Sequence, residues 1–386
     1  MADMSDAADR FMCSGIQWKP AGPRSEAVAV MMSGGVDSSV TAAMLKRSGR
    51  DVIGVTMQIP SGVGPDCPGA ELQACCGRGA SHVARQLGVP HYFVDVRDAF
   101  RRFVIEYFRE AYRNGLTPSP CVDCNTHIKF GIVMWLVREA FGIEQVATGH
   151  YARIVESEAG PRLRCAADSK KDQSYFLYGI KRENLARVRF PLGGRTKEQT
   201  RETAVEYGLD FDTRSDSVEL CFAEQGDYRA ALGREPDAGP GEVVDVDGNV
   251  IGTHSGISRY TIGQREGLGI AAGVPLYVVG IDVESNRITL GDRAAANTRT
   301  VPAHKLNVLV PEMLKGGGRL RGKIRSTESG GPCNLTTVDA DLGEITVEFD
   351  HPKHGVTPGQ HLVLYTDDGC VVAGAEIVRR PCPASL

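Results

Sequence analysis

The sequence predicts an α/β protein with a doubly wound parallel sheet, followed by a small, mainly β central domain and a C-terminal β-barrel. In the first half, short apolar runs alternate with amphipathic segments, as in a parallel sheet covered by helices on both faces. In the second half, alternating strands are joined by Asp-Gly, Ser-Asn and Asp-Asp-Gly turns, which indicate hairpins. The 386 residues correspond to two or three domains at roughly 150 residues each.

The strands predicted in the first half are short and apolar. The run AVAVMM, over residues 27–32, has the composition of a strand buried on both faces. Further strands are predicted over 51–59, 91–96 and 144–151. Helices are predicted between them, over 38–48, 80–87, 98–114 and 127–141.

Changes in composition along the chain predict four segments. Polar residues with Pro20 and Pro23 predict a loose N-terminal tail over residues 1–25. The α/β domain then covers 26–215, a central domain carrying Cys221 covers 216–298, and the barrel covers 299–386.

Composition and charge exclude several classes of protein. Hydrophobic residues make up 42% and charged residues 24%, which is ordinary for a globular protein and excludes a mainly disordered chain. Lys and Arg number 44 against 48 Asp and Glu, so the chain is not uniformly basic. Eleven cysteines are too few for a disulfide scaffold in a chain of this length and favour reduced thiols. With neither a signal peptide nor an apolar run of membrane-spanning length, the sequence predicts a cytoplasmic protein.

The strongest local signal is MMSGGVDSSV, residues 31–40, which follows a buried strand and opens a helix. Gly34 and Gly35 let the backbone turn tightly against an anion. The hydroxyls of Ser33, Ser38 and Ser39 and the first N–H groups of the helix can then bind phosphate. We assign Asp37 to phosphate through an intervening Mg²⁺. The loop is not a Walker A motif, because GxxxxGK[ST] occurs nowhere in the chain.

Three cysteines are candidates for chemistry. Cys121 and Cys124 lie in TPSPCVDCN, just before a helix predicted to begin near Thr126, where a thiolate is stabilised by the helix N-terminus. Cys221 stands alone in SVELCFAEQGDY, a pattern that by itself favours a buried structural thiol. For the Cys-x-x-Cys pair, half of a zinc site, a redox pair and two inert thiols remain alternatives.

The phosphate loop resembles that of the PP-loop ATP pyrophosphatase superfamily. With it, ATGHYAR, KKDQSYFL, ELCF, IGQREGLGI and TPGQ occur in the order found in tRNA-specific 2-thiouridylases, over about residues 26–379. The resemblance implies a sulfurtransferase that consumes ATP, releases AMP and pyrophosphate, and thiolates C2 of the wobble uridine of tRNA. It also implies two protein partners, a sulfur donor carrying a persulfide and a thiol reductant, and recognition of the tRNA anticodon loop.

The resemblance also implies roles for individual residues. Cys124 resembles the nucleophile and Cys221 the persulfide carrier, and the two would form a transient disulfide. The positions resembling ATP contacts are Met31, Met32, Ser33, Gly34, Gly35, Val36, Asp37, Ser38, Met57 and Gly149. The positions resembling contacts to the target base or to tRNA are Ser119, Pro120, Cys121, His150, Lys171, Asp172, Gln173, Arg325, Ser326 and Gln360.

The chain departs from the family pattern at two positions. Cys121 stands where the best-known form has Asp, and Ser326 stands where it has Tyr. With Cys121, Cys124 and Cys221 present, an alternative route to the same thiolation uses a [4Fe–4S] cluster held by three thiolates. Persulfide relay remains the preferred mechanism.

The basic residues suited to RNA binding are concentrated in one segment of the chain. Residues 181–201 contain seven basic side chains, Lys197 among them, against two acidic ones, and we assign this segment to the tRNA backbone. Two rival functions remain: another PP-loop enzyme such as an amide-forming ligase, and a non-enzymatic RNA-binding or iron–sulfur carrier protein.

Overall fold

The computed structural model describes residues 7–60, 77–210, 221–222, 232, 239–270, 273–315 and 319–379. The chain forms two compact units. The first unit contains Met1–Ile105 and Cys121–Ala231, and the second contains Glu106–Pro120 and Leu232–Leu386.

The helices of the described residues are α1 to α8, and four of them, α3 to α6, adjoin π-helical stretches. Their bounds are α1 Val36–Arg47, α2 Gly77–Leu87, α3 Arg97–Phe100, α4 Tyr107–Arg113, α5 Pro120–Asp123, α6 Met134–Phe141, α7 Lys197–Glu206 and α8 Pro311–Lys315. The π-helical stretches are Arg101–Glu106, after α3, and Cys124–Val133, between α5 and α6. Short 3₁₀ turns occupy Ala8–Arg10, Arg24–Glu26, Ser174–Leu177, Arg182–Arg187 and Ile257–Arg259.

A six-stranded sheet organises the first unit. Its strands are β1 Phe11–Cys13, β2 Val28–Met31, β3 Val52–Gln58, β4 His91–Asp95, β5 Gln145–Ala147 and β8 Val188–Arg189, in the order β1-β4-β3-β2-β5-β8. All neighbours are parallel except β1, which is antiparallel to β4. A separate hairpin is formed by β6 Ala152–Val155 and β7 Arg162–Cys165. The predicted doubly wound parallel sheet is confirmed.

The order of the strands in the sheet indicates where a ligand would bind. The chain runs from β2 outwards through β3 to β4 and returns to the other side of β2 as β5. In open α/β sheets, ligands bind beyond the carboxyl ends of the strands where the winding direction reverses. Here that position is the end of β2, at the loop that contains Gly34 and Gly35.

Two local predictions for the first unit are wrong. Residues 1–6 of the predicted loose tail lie outside the described residues, and residues 7–25 are not loose throughout, because Phe11 pairs with Val94 at the sheet edge and its ring packs 4.8 Å from that of Phe141. These aromatic contacts outweigh the nearby prolines. The helix predicted from residue 127 begins instead at Pro120, because proline at the first helical position needs no N–H partner. Cys121 and Cys124 are therefore helical.

The second unit is mainly β, as predicted. A four-stranded sheet has the order β10-β9-β12-β11, formed by β9 Gly241–Val244, β10 Val250–His254, β11 Tyr277–Asp282 and β12 Arg287–Gly291. A closed barrel has the order β13-β16-β15-β14-β17-β18, formed by β13 Asn297–Val308, β14 Leu320–Lys323, β15 Gly331–Asp339, β16 Glu344–His354, β17 His361–Tyr365 and β18 Val371–Ile377. The predicted Ser-Asn turn joins β11 to β12, with Asn286 at a φ of 51°.

The second unit also takes in the segment Glu106–Pro120, which the sequence analysis placed inside the α/β domain. The Arg379 guanidinium donates to the carbonyl oxygen of Asn114, 2.9 Å away, and the Thr117 N–H donates to the carbonyl oxygen of Pro358. These contacts are made by residues far apart in sequence, so local patterns do not reveal them. Among the described residues, no helix is both long and apolar enough to cross a membrane.

The buried His91 predicts a pH dependence of stability. Burial lowers its pKa from 6.5 to about 4, and its ring nitrogens lie 2.7 Å from Ser14 Oγ and 2.8 Å from Thr56 Oγ1. The unfolded chain therefore binds a proton that the folded chain does not, and stability is lost as pH falls below 6.5 towards 4. His91 alone accounts for a loss on the order of 3 kcal/mol.

Urea unfolding between pH 7.5 and pH 4.5 measures this loss. We expect the His91→Gln variant to show a shallower decline than the wild type. His361, whose pKa is likewise lowered to about 4 by burial, supplies a residual slope in both proteins. Equal slopes for the two proteins would contradict the assignment.

Candidate functional site

The loop after β2 has the geometry of an anion site. Gly34 adopts a φ of 85°, which only glycine reaches without strain, and turns the chain into α1. Gly35 is the N-cap of α1 and, having no side chain, makes no side-chain capping bond to the first turn. The N–H groups of that turn, together with the helix dipole, suit a phosphate.

The serine hydroxyls shape the loop itself. Ser38 Oγ donates to the carbonyl oxygen of Gly35 and accepts from the Ser33 N–H, each at 3.1 Å. Ser39 is fully buried, and its hydroxyl donates to the same Gly35 oxygen at 2.9 Å. The expectation that the Ser39 hydroxyl binds phosphate is therefore wrong. Ser33, by contrast, is exposed at the loop.

Neighbouring strands bring further predicted positions to this edge of the sheet. Met57 lies near the carboxyl end of β3, and Gly149 follows the end of β5. Gly149 touches the start of α1 so closely that a Cβ would lie 2.8 Å from the Asp37 carbonyl carbon and 2.9 Å from the Ser38 nitrogen. Gly79, which the sequence analysis missed, approaches Gly34 from α2, where a Cβ would lie 3.4 Å from the Gly34 oxygen.

Asp37 is held by two side chains from distant parts of the chain. The Lys197 ammonium donates to both carboxylate oxygens, at 2.9 and 2.8 Å, and the Tyr151 hydroxyl donates to Oδ1 at 3.0 Å. A Mg²⁺ ion bound to this carboxylate at about 2.1 Å would share it with the ammonium, and the two cations would repel each other. The donor set at Asp37 fits the lysine and does not fit the magnesium role that the sequence suggested.

The three candidate cysteines belong to the first unit and influence one another electrostatically. Burial raises the pKa of Cys121 and Cys124, and burial with the charges of these two thiolates raises the pKa of Cys221 to about 12. Cys124 is buried, while Cys121 and Cys221 keep part of their surface open to solvent although the surrounding protein desolvates their thiols; all three are free thiols. Phe222, next to Cys221, packs its ring 6.0 Å from that of Phe100.

Lys129 is the cation of this group, and the sequence analysis missed it. Its charge lowers the pKa of all three thiols, opposing burial. Its ammonium donates to Asn125 Oδ1 at 3.0 Å, and Asn125 Nδ2 donates to the Phe176 carbonyl oxygen at 2.9 Å. The spacing Asn125–Lys129 on one helix was the available signal, since residues four apart share a face.

A [4Fe–4S] cluster held by this chain would need three thiolates that face a common centre. Within the part of the chain that the structure describes, no three His, Cys, Asp or Glu side chains are placed to hold a metal ion. Cys121, Cys124 and Cys221 therefore form no site for a single metal ion. The [4Fe–4S] route stays an alternative prediction.

The positions assigned to tRNA in the first unit have mixed environments. His150 is half-buried between the rings of Phe130 and Phe190, and burial with the charge of Lys129 holds its pKa well below 6.5. Asp172 accepts hydrogen bonds from the Ala166 N–H and the Ser174 hydroxyl, and Gln173 Oε1 accepts from the Tyr151 N–H. Lys171 is exposed. Asp172 and Gln173 therefore shape the turn that carries Lys171.

The basic side chains of residues 181–201 also differ in their exposure. Lys181 and Arg182 are exposed, whereas Arg187 pairs with Glu144 at 3.1 Å. Lys197 is only 3% exposed, so its assignment to the tRNA backbone is wrong. The ion pair with Asp37 removes it from the surface.

In the second unit, Gln360 holds a loop. Its Nε2 donates to the carbonyl oxygen of Thr117 at 2.8 Å, immediately before Pro118, Ser119 and Pro120. Ser119 is buried. Arg325 donates to Thr357 Oγ1 at 3.2 Å, while Ser326 is half-buried.

Gly149 yields a direct prediction. In Gly149→Ala the new methyl group collides with the backbone of α1, and a collision worth about 1–3 kcal/mol should weaken ATP binding by about ten- to a hundredfold. Gly194→Ala is the matched control, because no atom lies within 4 Å of its Cβ position. Titration calorimetry with ATP compares the two variants, and wild-type affinity in Gly149→Ala would contradict the close approach.

Cys221 yields a second prediction. Because its pKa is about 12, its thiolate fraction should rise about tenfold per pH unit from pH 7 to pH 9. Labelling with iodoacetamide, followed by mass spectrometry of the peptide, should show that rise in the folded protein. The urea-unfolded protein serves as control, since an ordinary thiol levels off near its pKa of about 8.5. A plateau below pH 9 in the folded protein would refute the assignment.

Comparisons with known proteins agree with this architecture. Residues 26–225 match the model of a tRNA methyl transferase HUP domain, residues 230–292 that of a tRNA methyl transferase PRC-barrel domain, and residues 298–377 that of an aminomethyltransferase β-barrel domain. The tRNA-specific 2-thiouridylase MnmA of Heliobacterium modesticaldum is 46% identical over 92% of this chain and 93% of its own. The protein of the same name from Bradyrhizobium sp. (strain BTAi1) is 44% identical over 89% of this chain and 87% of its own. That from Synechocystis sp. is 42% identical over 93% of this chain and 98% of its own. With such identity along about nine-tenths of its length, the chain belongs to the tRNA-specific 2-thiouridylase family.

Proposed function

We propose that this protein uses ATP to replace O2 of the wobble uridine of tRNA with sulfur, through a persulfide on Cys221 and with Cys124 as nucleophile. The observation that carries the proposal is the presence of Cys121, Cys124 and Cys221 in the unit that holds the phosphate loop, in a chain 46% identical to a tRNA-specific 2-thiouridylase. An amide-forming ligase has no use for such a group of thiols.

The first step activates an unreactive carbonyl. Uridine O2 attacks the α-phosphorus of ATP, the bond to the β-phosphate breaks, and pyrophosphate leaves. The N–H groups at the start of α1 are placed to bind the negative charge that develops on the phosphates. O2 now carries AMP, which is a good leaving group.

The second step delivers sulfur. The terminal sulfur of the Cys221 persulfide attacks C2, and AMP departs with O2. The Cys124 thiolate then attacks Cys221 Sγ, so the sulfur–sulfur bond to the substrate breaks and its electron pair stays on the 2-thiouridine. A Cys124–Cys221 disulfide remains, and a thiol reductant supplies two electrons to restore both thiols.

The exposure of the two cysteines supports these different roles. Cys221 is exposed, as a residue that accepts sulfur from a donor protein must be. Cys124 is buried, which keeps water from the intermediate that it resolves. The charge of Lys129 favours the thiolate of each of them.

The tRNA substrate must present its uridine outside the anticodon stack, which single-stranded loops permit at low cost. We assign contacts with its backbone to the exposed cations Lys171, Lys181 and Arg182. We assign the target base to the stretch Ser119–Cys121, whose preceding loop Gln360 fixes.

Single cysteine variants test the mechanism. In vitro thiolation with ATP, a persulfide donor and an unmodified tRNA should be lost in Cys124→Ala and Cys221→Ala, by at least about a thousandfold for loss of a nucleophile. Both variants should still release pyrophosphate, since adenylation precedes sulfur transfer. Cys121→Ala changes the stretch assigned to the target base but removes no sulfur carrier, so its thiolation should fall far less than that of the other two variants.

The donor-only reaction gives a further readout. Persulfide should accumulate on the Cys124→Ala variant at Cys221 and be absent from Cys221→Ala. Equal loss of activity in all three variants, together with bound iron in the wild type, would overturn the persulfide route. Absence of thiolation by the wild-type protein would overturn the proposed function itself.

A further inference from the structure

Lys197 lies in a buried network that joins three separate segments of the first unit. Its ammonium contacts both oxygens of Asp37, in the first turn of α1. The Tyr151 hydroxyl lies 3.0 Å from Asp37 Oδ1 and 2.9 Å from Thr200 Oγ1, and the Tyr151 ring lies 5.9 Å from the ammonium. Asp37 and Lys197 are 160 positions apart in sequence.

The position of Lys197 on its own helix is fixed. It is the first residue of α7, and Thr196 and Gln199 form a capping box around it. Its backbone N–H donates to Asp168 Oδ2 at 3.2 Å. The lysine side chain is 4% exposed and that of Asp37 is 32% exposed, so the ammonium is enclosed while the carboxylate keeps a solvent edge.

A buried ammonium is tolerated only when it is paired. Asp37 also needs the pair for a reason of its own. It lies in the first turn of α1, whose N–H groups form the phosphate site, and an uncompensated carboxylate there would repel the phosphates of ATP. The lysine cancels that charge and anchors the turn against which Gly149 packs.

We propose that Lys197 is a positioning residue for ATP: it neutralises Asp37 and holds the first turn of α1 in its anion-binding conformation. The proposal rests on the use of ATP at this loop under the proposed function. It also replaces the magnesium role of Asp37, since the carboxylate is committed to the lysine.

A charge-cancellation cycle tests this proposal. Titration calorimetry measures the Kd of ATP, with Mg²⁺ present, for the wild type, Lys197→Met and the double variant Asp37→Asn/Lys197→Met. The single variant should bind ATP about tenfold or more weakly, because it leaves the carboxylate unpaired beside the phosphates. The double variant should recover most of that loss, although it differs from the wild type at two positions.

Lys46→Met is the matched control. Lys46 is exposed in the last turn of the same helix, so its variant removes a positive charge from α1 without touching the network. It should bind ATP with wild-type affinity. Weakening equal to that of Lys197→Met would reduce the effect to net charge and overturn the proposal.

If Lys197→Met does not fold, Lys197→Gln and its double variant with Asp37→Asn replace it, because glutamine still donates to the carboxylate without carrying charge. Additional loss of affinity in the double variant, or a raised Mg²⁺ requirement on replacing Asp37 in the lysine-free background, would show that Asp37 binds the metal and would overturn the proposal. The readout is ATP binding, so failure of tRNA thiolation does not affect it.

Discussion

The first turn of α1 is the constraint on which the candidate site depends. It must leave its N–H groups open to an anion, and it must nevertheless be held rigidly. Gly35 meets the first requirement because it makes no side-chain capping bond. Gly149 and Lys197 meet the second, one by backbone contact and the other by an ion pair. A helix start that no side chain of its own turn caps is thus fixed from outside.

The surroundings of the three candidate cysteines control how readily their thiols ionise. Desolvation raises the pKa of each thiol, which lowers its thiolate fraction and so slows oxidation and alkylation of the resting cysteine. A persulfide ionises more readily than a thiol, so in the proposed reaction the transferable sulfur is reactive where the resting cysteine is not. Lys129 supplies a counter-charge that acts on all three positions.

Several polar residues that resemble tRNA contacts are bonded within the protein. Asp172 and Gln173 fix a turn beside Tyr151, and Gln360 fixes the loop at Thr117. Their hydrogen bonds place the neighbouring residues, Lys171 and Ser119 among them. The recognition of RNA proposed here therefore depends on side chains that hold the contacting loops as well as on those that face the nucleic acid.

Local patterns in the sequence are enough to predict the architecture and the phosphate loop. The apolar run at β2, the double glycine and the alternation of strands and helices are local patterns, and backbone sterics and hydrophobic burial act at that range. The hairpin turns of the second unit were predictable for the same reason, with Asn286 in the left-handed conformation that its turn requires. The motif order in the chain also predicts roles for the three cysteines, which stay predictions.

Which charged side chains are buried and which are exposed depends on contacts between distant parts of the chain. Lys197 lies in the segment 181–201, which contains seven basic residues, and nothing in the sequence distinguishes it from a surface cation. In the structure it is buried and forms an ion pair with Asp37. Phe11 pairs at a sheet edge, although its polar neighbours in sequence do not indicate a strand. Glu106–Pro120 belongs to the second unit through contacts with residues beyond position 350. In each case the environment of a side chain depends on which distant residue it contacts. Asp37 and Lys197 are 160 positions apart, so their ion pair is fixed by the packing of the sheet and its helices and not by their neighbours in sequence.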